Sequence, residues 1–231
     1  MAWRVSADPV KNESAIEWFR KKVPLTREQW DQLVDDAKRR AFTVSSVARL
    51  DVIADTLAAL DRAIAEGTTF QEFKKDVAAK LTEEWQGTVK DPAWRLETIF
   101  RTNVQSAYSA GRYEQMTDPE VVKFRPYFMF DAIIDDRTTN ECKALHGVIR
   151  PQDDPYWEGR IPPLHFNCRS GLRSLRKSQA ERRGVTKSPP AVKGAEGFGA
   201  KPSKQEWSPN VENYPPELQT AAKRIADKAA A

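Results

Sequence analysis

Through the first half of the chain, apolar residues return at alternating steps of three and four. From Ser46 onward Leu50, Ile53, Leu57, Leu60 and Ile64 follow this spacing, which stacks them on one stripe of an α-helix. Gly67 ends the stripe. Thr68, Thr69 and Glu72 then carry a helix-start pattern ahead of Phe70, Phe73, Val77 and Leu81, because a threonine hydroxyl and a glutamate three residues on can exchange hydrogen bonds with each other's backbone. Thr26 and Gln29 repeat that spacing after Pro24-Leu25. Residues 27–84 therefore read as a helical hairpin or small bundle with short connections. Beyond Gly87 and Pro92, a longer helix is predicted by Leu96, Ile99, Phe100, Val104, Ala107 and Tyr108, with Gly111 near its end. Its polar face carries Arg95, Glu97, Arg101, Asn103, Gln105 and Arg112; such a face is either solvated or docked to a partner.

The texture changes at Phe124–Ile134, where aromatic and β-branched residues predict a strand with Pro126 at its start or on a sheet edge. A short helix over 136–146, a brief strand at Val148-Ile149, a loop from Asp153 to Pro163 and a second strand at Arg169–Ser174, antiparallel to the first, complete this part. The expected fold class is α+β. A mainly helical region (1–86) precedes a small α+β domain with a short antiparallel sheet (87–175), and a basic extended tail (176–231) follows.

Composition narrows the picture. Of 231 residues, 40% are hydrophobic and 30% charged, which suits a globular chain and excludes wholesale disorder. A net charge of +4 does not make a nucleic-acid binder by itself, but it is unevenly placed. Residues 169–231 hold thirteen basic and six acidic side chains, whereas the preceding 168 residues are net −3. Pro189, Pro190, Pro202, Pro209, Pro215 and Pro216 mark this tail as extended and poorly packed, ending in a short helix from Pro216 to Lys228. Such a tail suits DNA phosphate, an acidic protein surface, or simple solubility. No apolar stretch of secretory or membrane-spanning length is present, so no membrane role is expected, and the sequon Asn12-Glu13-Ser14 reads as a solvated helix start. Two cysteines exclude a disulfide scaffold.

Both cysteines and both histidines fall between residues 142 and 168, in the order Cys142, His146, His165, Cys168. Cys142 and His146 are four apart, hence on one face of a helix, and His165 and Cys168 are three apart in a turn after Pro162-Pro163. Thiolate and imidazole are ligands that Zn²⁺ takes tetrahedrally, and four of them close its shell, which makes a structural rather than a catalytic ion. The loop Val148–Leu164 is rich in polar and proline residues, so burial is not expected to fix its ends, whereas zinc contributes on the order of 10 kcal/mol in small domains. Other readings stand beside this one: a Cys142–Cys168 disulfide, two buried small hydrophobes with satisfied histidines, or a nucleophile and base. Asp135, Asp136, Asp153 and Asp154 suit a catalytic metal, and equally suit helix caps and turns.

Several of these pieces resemble the carboxy-terminal signature of the phage Mu protein F-like family. They are Asp136-Arg137-Thr138, Cys142, Leu145-His146-Gly147, Asp153-Asp154-Pro155-Tyr156-Trp157, Pro162-Pro163-Leu164-His165 and Asn167-Cys168-Arg169. The helix from Thr98-Ile99-Phe100-Arg101-Thr102-Asn103 through Tyr108 to Gly111-Arg112-Tyr113 is similar to the family's other marked segment. The resemblance implies a non-enzymatic minor head protein that works in head morphogenesis. Its place is the virion, and the host cytoplasm during assembly. Its partners are portal, capsid and scaffold proteins, with DNA contact through the basic tail. It also implies metal-ligand roles for Cys142, His165 and Cys168. Where this chain has Cys168-Arg169-Ser170, family members often read Cys-Arg-Cys, which leaves His146 or water to complete the shell. The enzymatic alternative is a metal-dependent hydrolase or nuclease built on the same cluster, with His165 or an aspartate moving the proton.

Overall fold

The side chain of Asn12 accepts the Ala15 backbone N–H at 3.1 Å and so starts the first helix, α1 (Glu13–Arg20). The structure is a computed structural model and describes residues 12–33, 41–202, 219, 220 and 223. A two-stranded parallel pair, β1 (Val23–Pro24) with β2 (Ala41–Phe42), flanks α2 (Arg27–Asp31). Thr26 and Gln29 cap α2 reciprocally, as their spacing predicts. Helix α3 (Leu50–Glu66) starts at the first apolar residue of its stripe and stops at Gly67, whose left-handed φ of 75° an L side chain adopts only with strain. Helix α4 (Phe70–Glu84) opens on the Thr69/Glu72 pair. The stripes Ile53, Leu60, Ile64 and Phe73, Val77, Leu81 meet in one core with Phe19 and Trp85.

Helix α5 (Pro92–Met116) runs 25 residues from an Asp91 cap. It serves two cores: Leu96 and Ala107 belong to the first, Met116 to the second. One helix therefore bridges the division expected after residue 86. Gly111 lies where α5 crosses α1; a Cβ there would sit 2.6 Å from the Ala15 nitrogen, against backbone that has no rotamer to escape into. Gly111→Ala is expected to destabilise the chain by about 1–3 kcal/mol, although alanine favours helices. Urea denaturation checks this, and an unchanged or higher midpoint would show that the crossing opens without cost.

After α6 (Pro119–Phe124), the central strand β3 (Tyr127–Asp131) lies between two antiparallel neighbours. Helix α7 (Asn140–Leu145) leads to the first of these, β4 (Ile149–Pro151), with Met129 opposite Ile149; β5 (Gly171–Leu175) is the second, with Phe130 opposite Leu172. This is the α+β class with the short antiparallel sheet expected. The strand is shorter than the 124–134 run because Phe124 closes α6, and Ile133 and Ile134 run out exposed beyond Asp131. Alternation along β3 sends Phe128 and Phe130 into the second core, with Trp157, Cys142 and Cys168. Met129 faces Ile149, Leu175 and Ala180, the last carried by α8 (Lys177–Arg183).

Two expectations are corrected here. The loop after β4 does anchor itself, because Trp157, Ile161 and Leu164 are all buried in the second core and the Trp157 indole N–H donates to the Pro151 carbonyl at 2.8 Å. Most of 203–231 lies outside the described residues, but over residues 177–202 the segment expected to be poorly packed is instead ordered against the domain. It forms α8 and then a strap whose backbone returns to the loop: Gly194 N–H to the Gly159 carbonyl, Ala195 N–H to Leu164, Gly199 N–H to Pro163, and Ile161 N–H back to Gly199. The buried Arg160 guanidinium donates to the Ala191 carbonyl at 2.9 Å and Tyr156 to that of Pro190 at 2.9 Å. The positive surplus also lies in this packed part, since residues 169–202 hold nine basic and two acidic side chains while 203–231 hold four of each. Of the helix expected over 216–228, residues 219, 220 and 223 are helical and the rest lies outside the described residues. Among the described residues no helix is long and apolar enough to cross a membrane.

Candidate metal centre

The Thr139 hydroxyl caps α7 by accepting the Cys142 backbone N–H at 3.4 Å, which fixes Cys142 in the first turn with its thiol inside the second core. His165 and Cys168 come from the turn after Leu164, where Asn167 takes a left-handed φ of 57° and the Cys168 N–H donates to the His165 carbonyl at 3.3 Å. Cys142 Sγ then lies 3.3 Å from His165 Nε2 and 3.9 Å from Cys168 Sγ, and all three ligand atoms fall within 4.8 Å of one another. With Zn–S near 2.3 Å and Zn–N near 2.0–2.1 Å, a tetrahedral ion has edges of about 3.8 Å between sulfurs and about 3.6 Å from sulfur to nitrogen. The two edges that meet at Cys142 lie within about 0.3 Å of these values. Both cysteines are free thiols, and 3.9 Å is well beyond the disulfide bond length of about 2.05 Å. His165 Nδ1 faces the Phe166 carbonyl at 2.8 Å; that acceptor keeps the ring proton on Nδ1 and turns the Nε2 lone pair toward the sulfurs.

His146 does not join the other three. Helix α7 stops at Leu145, and His146 leaves it with φ −56° and ψ 128°, so the four-residue spacing no longer places it above Cys142. Its exposed ring instead accepts the Ala132 backbone N–H on Nδ1 at 3.1 Å. The structure thus assembles three ligand residues where a shell of four was expected.

The two thiols share one hydrogen bond across 3.9 Å. This holds Cys168 down to about 5 against the opposing effect of burial, with further help from backbone hydrogen bonds of Leu164 and Ser170, and it drives Cys142 well above the ordinary thiol range. The pair thus favours giving up one proton ahead of the other, and the thiolate is the form that binds metal. The four flagged aspartates lie outside the ligand group. Asp135 makes a two-pronged ion pair with Arg169 at 2.5 and 2.7 Å, and that guanidinium holds its carboxyl far below the usual range. Asp154 caps the turn at Pro155–Trp157 and pairs with Arg150 at 2.6 Å, while Asp136 and Asp153 are exposed.

The ligand turn is fastened to α5. The Asn167 N–H donates to Thr102 Oγ1 and its side-chain amide to Thr98 Oγ1, both at 3.2 Å, and the Gln105 amide donates to the Ser170 carbonyl at 3.3 Å. The polar-face reading took in Gln105 but not Thr98 or Thr102. Their signal is a second, polar stripe at 98, 102, 105 and 109 beside the apolar one. Elsewhere on the helix, Glu97 and Arg101 pair with each other at 2.6 Å on the surface.

Residues 54–173 match the family described as Phage Mu protein F like protein, a stretch that contains all three ligand residues. The chain is similar to capsid assembly protein F of Escherichia phage Mu, 32% identical over 187 residues, covering 75% of this chain and 42% of that protein. It is also similar to the Mu-like prophage FluMu F protein of Haemophilus influenzae, 36% identical over 166 residues, covering 68% of this chain and 40% of that protein. The chain therefore spans about two fifths of the length of the curated relatives it matches. No solved structure matches it. With more than half of its residues inside the family match, the chain belongs to the Phage Mu protein F like family.

Proposed function

We propose that this chain is a non-enzymatic part of a phage head, acting in capsid assembly by contact with portal, capsid and scaffold proteins, and that Cys142, His165 and Cys168 hold a structural zinc ion. The head role is supported by the family match and by the capsid-assembly name of the phage Mu relative. The observation that carries the zinc role is the geometry itself: two buried sulfurs and an oriented imidazole whose ligand atoms all lie within 4.8 Å of one another. In this reading the ion joins α7 to the turn at 165–168, and through Asn167 and Ser170 to α5. Packaged DNA is a further partner, met by the exposed cations Arg176, Lys177, Arg182, Arg183 and Lys187 on and after α8 rather than by a loose tail.

Deleting the gene from the phage or prophage that encodes the chain is expected to abolish DNA-filled heads, scored by nuclease-protected DNA and electron microscopy; heads at normal yield would overturn the assembly role. Three protein ligands are also the donor count of a catalytic zinc, and this one feature favours the hydrolase or nuclease reading. Mixed with DNA and Zn²⁺ or Mn²⁺, the chain is expected to bind weakly, to let go steeply as salt rises, and to cut nothing. Metal-dependent cleavage that disappears in Cys142→Ala would establish the enzyme instead.

A further inference from the structure

Strand β5 is an edge of its sheet, and that edge is open at one residue. Phe130 uses both of its backbone groups on the β4 side: its N–H donates to the Val148 carbonyl at 3.0 Å, and its carbonyl accepts the Gly147 N–H at 2.9 Å. Leu172 lies opposite Phe130 on β5, and in an antiparallel ladder a facing pair that exchanges no hydrogen bonds turns its backbone groups outward. The N–H and carbonyl of Leu172 therefore point away from β3. On the same side the Ser170 carbonyl accepts the Gln105 amide at 3.3 Å, and the Ser174 carbonyl accepts the Arg125 guanidinium at 2.5 and 3.1 Å. Between these two plugs no hydrogen bond from a described residue reaches the outward groups of Leu172. Gly171 and Leu172 form one wall of a cleft of about 170 Å³ against α5, with Met116, Ile161 and Pro162 among its apolar lining. A cavity of about 150 Å³ takes one benzene-sized group. Across from β5 stand Tyr108 and the exposed Arg112, the one charged residue that lines the cleft, and Arg112 makes no ion pair among the described residues.

We infer that this cleft receives the carboxy-terminal residue of a partner polypeptide. The last residue's N–H donates to the Leu172 carbonyl, one carboxylate oxygen accepts the Leu172 N–H, the other meets the Arg112 guanidinium, and the apolar lining takes the side chain. A chain end suits the site better than an internal peptide added as a strand. Such a strand would continue along the edge to Ser170 and Ser174, whose carbonyls Gln105 and Arg125 already hold, and it would bring no charge to Arg112. The cleft also has room for one side chain, not a row of them. Neither zinc nor a place in the head is needed for this binding, so its failure would leave both of those readings where they stand.

The probes are amino-terminally labelled Gly-Ser-Gly peptides extended by a final Leu or Phe, each made with a free carboxylate and as the carboxamide. Titrated against the purified full chain by fluorescence anisotropy, the free acids are expected to bind with a Kd of about 0.01–1 mM. Amidation and Arg112→Gln should each weaken binding by roughly tenfold or more, and Arg112→Lys, which keeps the charge but loses the fork, by less. Arg112 is exposed on its helix, so both variants should melt as wild type does. Bound peptide should also slow hydrogen exchange at the Leu172 amide. Equal affinity for acid and amide would make the edge a site for internal strands and overturn terminal capture. Binding indifferent to Arg112→Gln, an unchanged exchange rate at Leu172, or no binding by about 5 mM peptide would overturn it as well.

Discussion

Removing the proposed metal from the purified chain is expected to lower its thermal midpoint by about 8–16 °C, and Cys168→Ser to lower it by as much even with zinc present. The size follows from linkage. An ion that binds only the folded state at a free concentration 1,000 times its Kd stabilises by about 4 kcal/mol, and each kcal/mol moves the midpoint of a chain of this size by about 2–4 °C. Small zinc domains gain on the order of 10 kcal/mol because they have no other core. Here Trp157, Ile161 and Leu164 are buried in a core of their own, so the metal-free chain is expected to stay folded and merely to melt earlier. Cys168→Ser replaces one of the two sulfurs of the group with a hydroxyl that stays protonated. Its melt should therefore be indifferent to both chelator and added zinc. Circular dichroism melts with and without chelator decide the matter, and superimposed wild-type curves would remove the ion from the account.

The parts of the molecule that could be read in advance are those written in short-range repeats. Helices α3 and α4 are legible because their stripes run for four or more turns and because Thr69 and Gly67 mark their ends. Helix α1 and the β1–β2 pair are too short for any period to show, and they form because Phe19, Val23 and Phe42 find a core assembled by other elements. The ligand set was legible from residue type and clustering, but the role of His146 was not. The spacing assumed that the helix continues past Leu145, whereas Gly147 with φ 80° is the stop signal that turns His146 away. The strap over 184–199 leaves no period because it is held by backbone hydrogen bonds. Its close approaches depend on glycine: a Cβ on Gly199 would fall 2.3 Å from the Gly159 carbonyl oxygen. In the loop after β4, a count of polar residues hides how much one tryptophan can bury.

That tryptophan sets the other large effect. Trp157 is 0% exposed, meets Phe128 edge-on at 5.8 Å and Tyr156 at 5.6 Å, and donates its indole N–H to Pro151 at 2.8 Å. Trp157→Ala is expected to cost about 3–5 kcal/mol, as much as the ion contributes or more, measured by denaturant unfolding at fixed zinc. Trp157→Phe keeps a ring in the cavity but removes the indole bond to the Pro151 carbonyl, which still accepts the Asp154 N–H at 3.2 Å, a loss of about 0.5–1.5 kcal/mol. Trp157 and the proposed ion would hold the same loop, one from its middle back to Pro151 and the other through His165 just past its end, so their effects should not simply add. With Trp157 gone, zinc must order the loop as it binds, and the coupling is expected to weaken its affinity by about 1–2 kcal/mol. Chelator competition on Trp157→Ala reads this directly. An affinity equal to wild type would mean that the two anchors act on separate parts of the fold, and that burial and metal do not share the work of holding the loop.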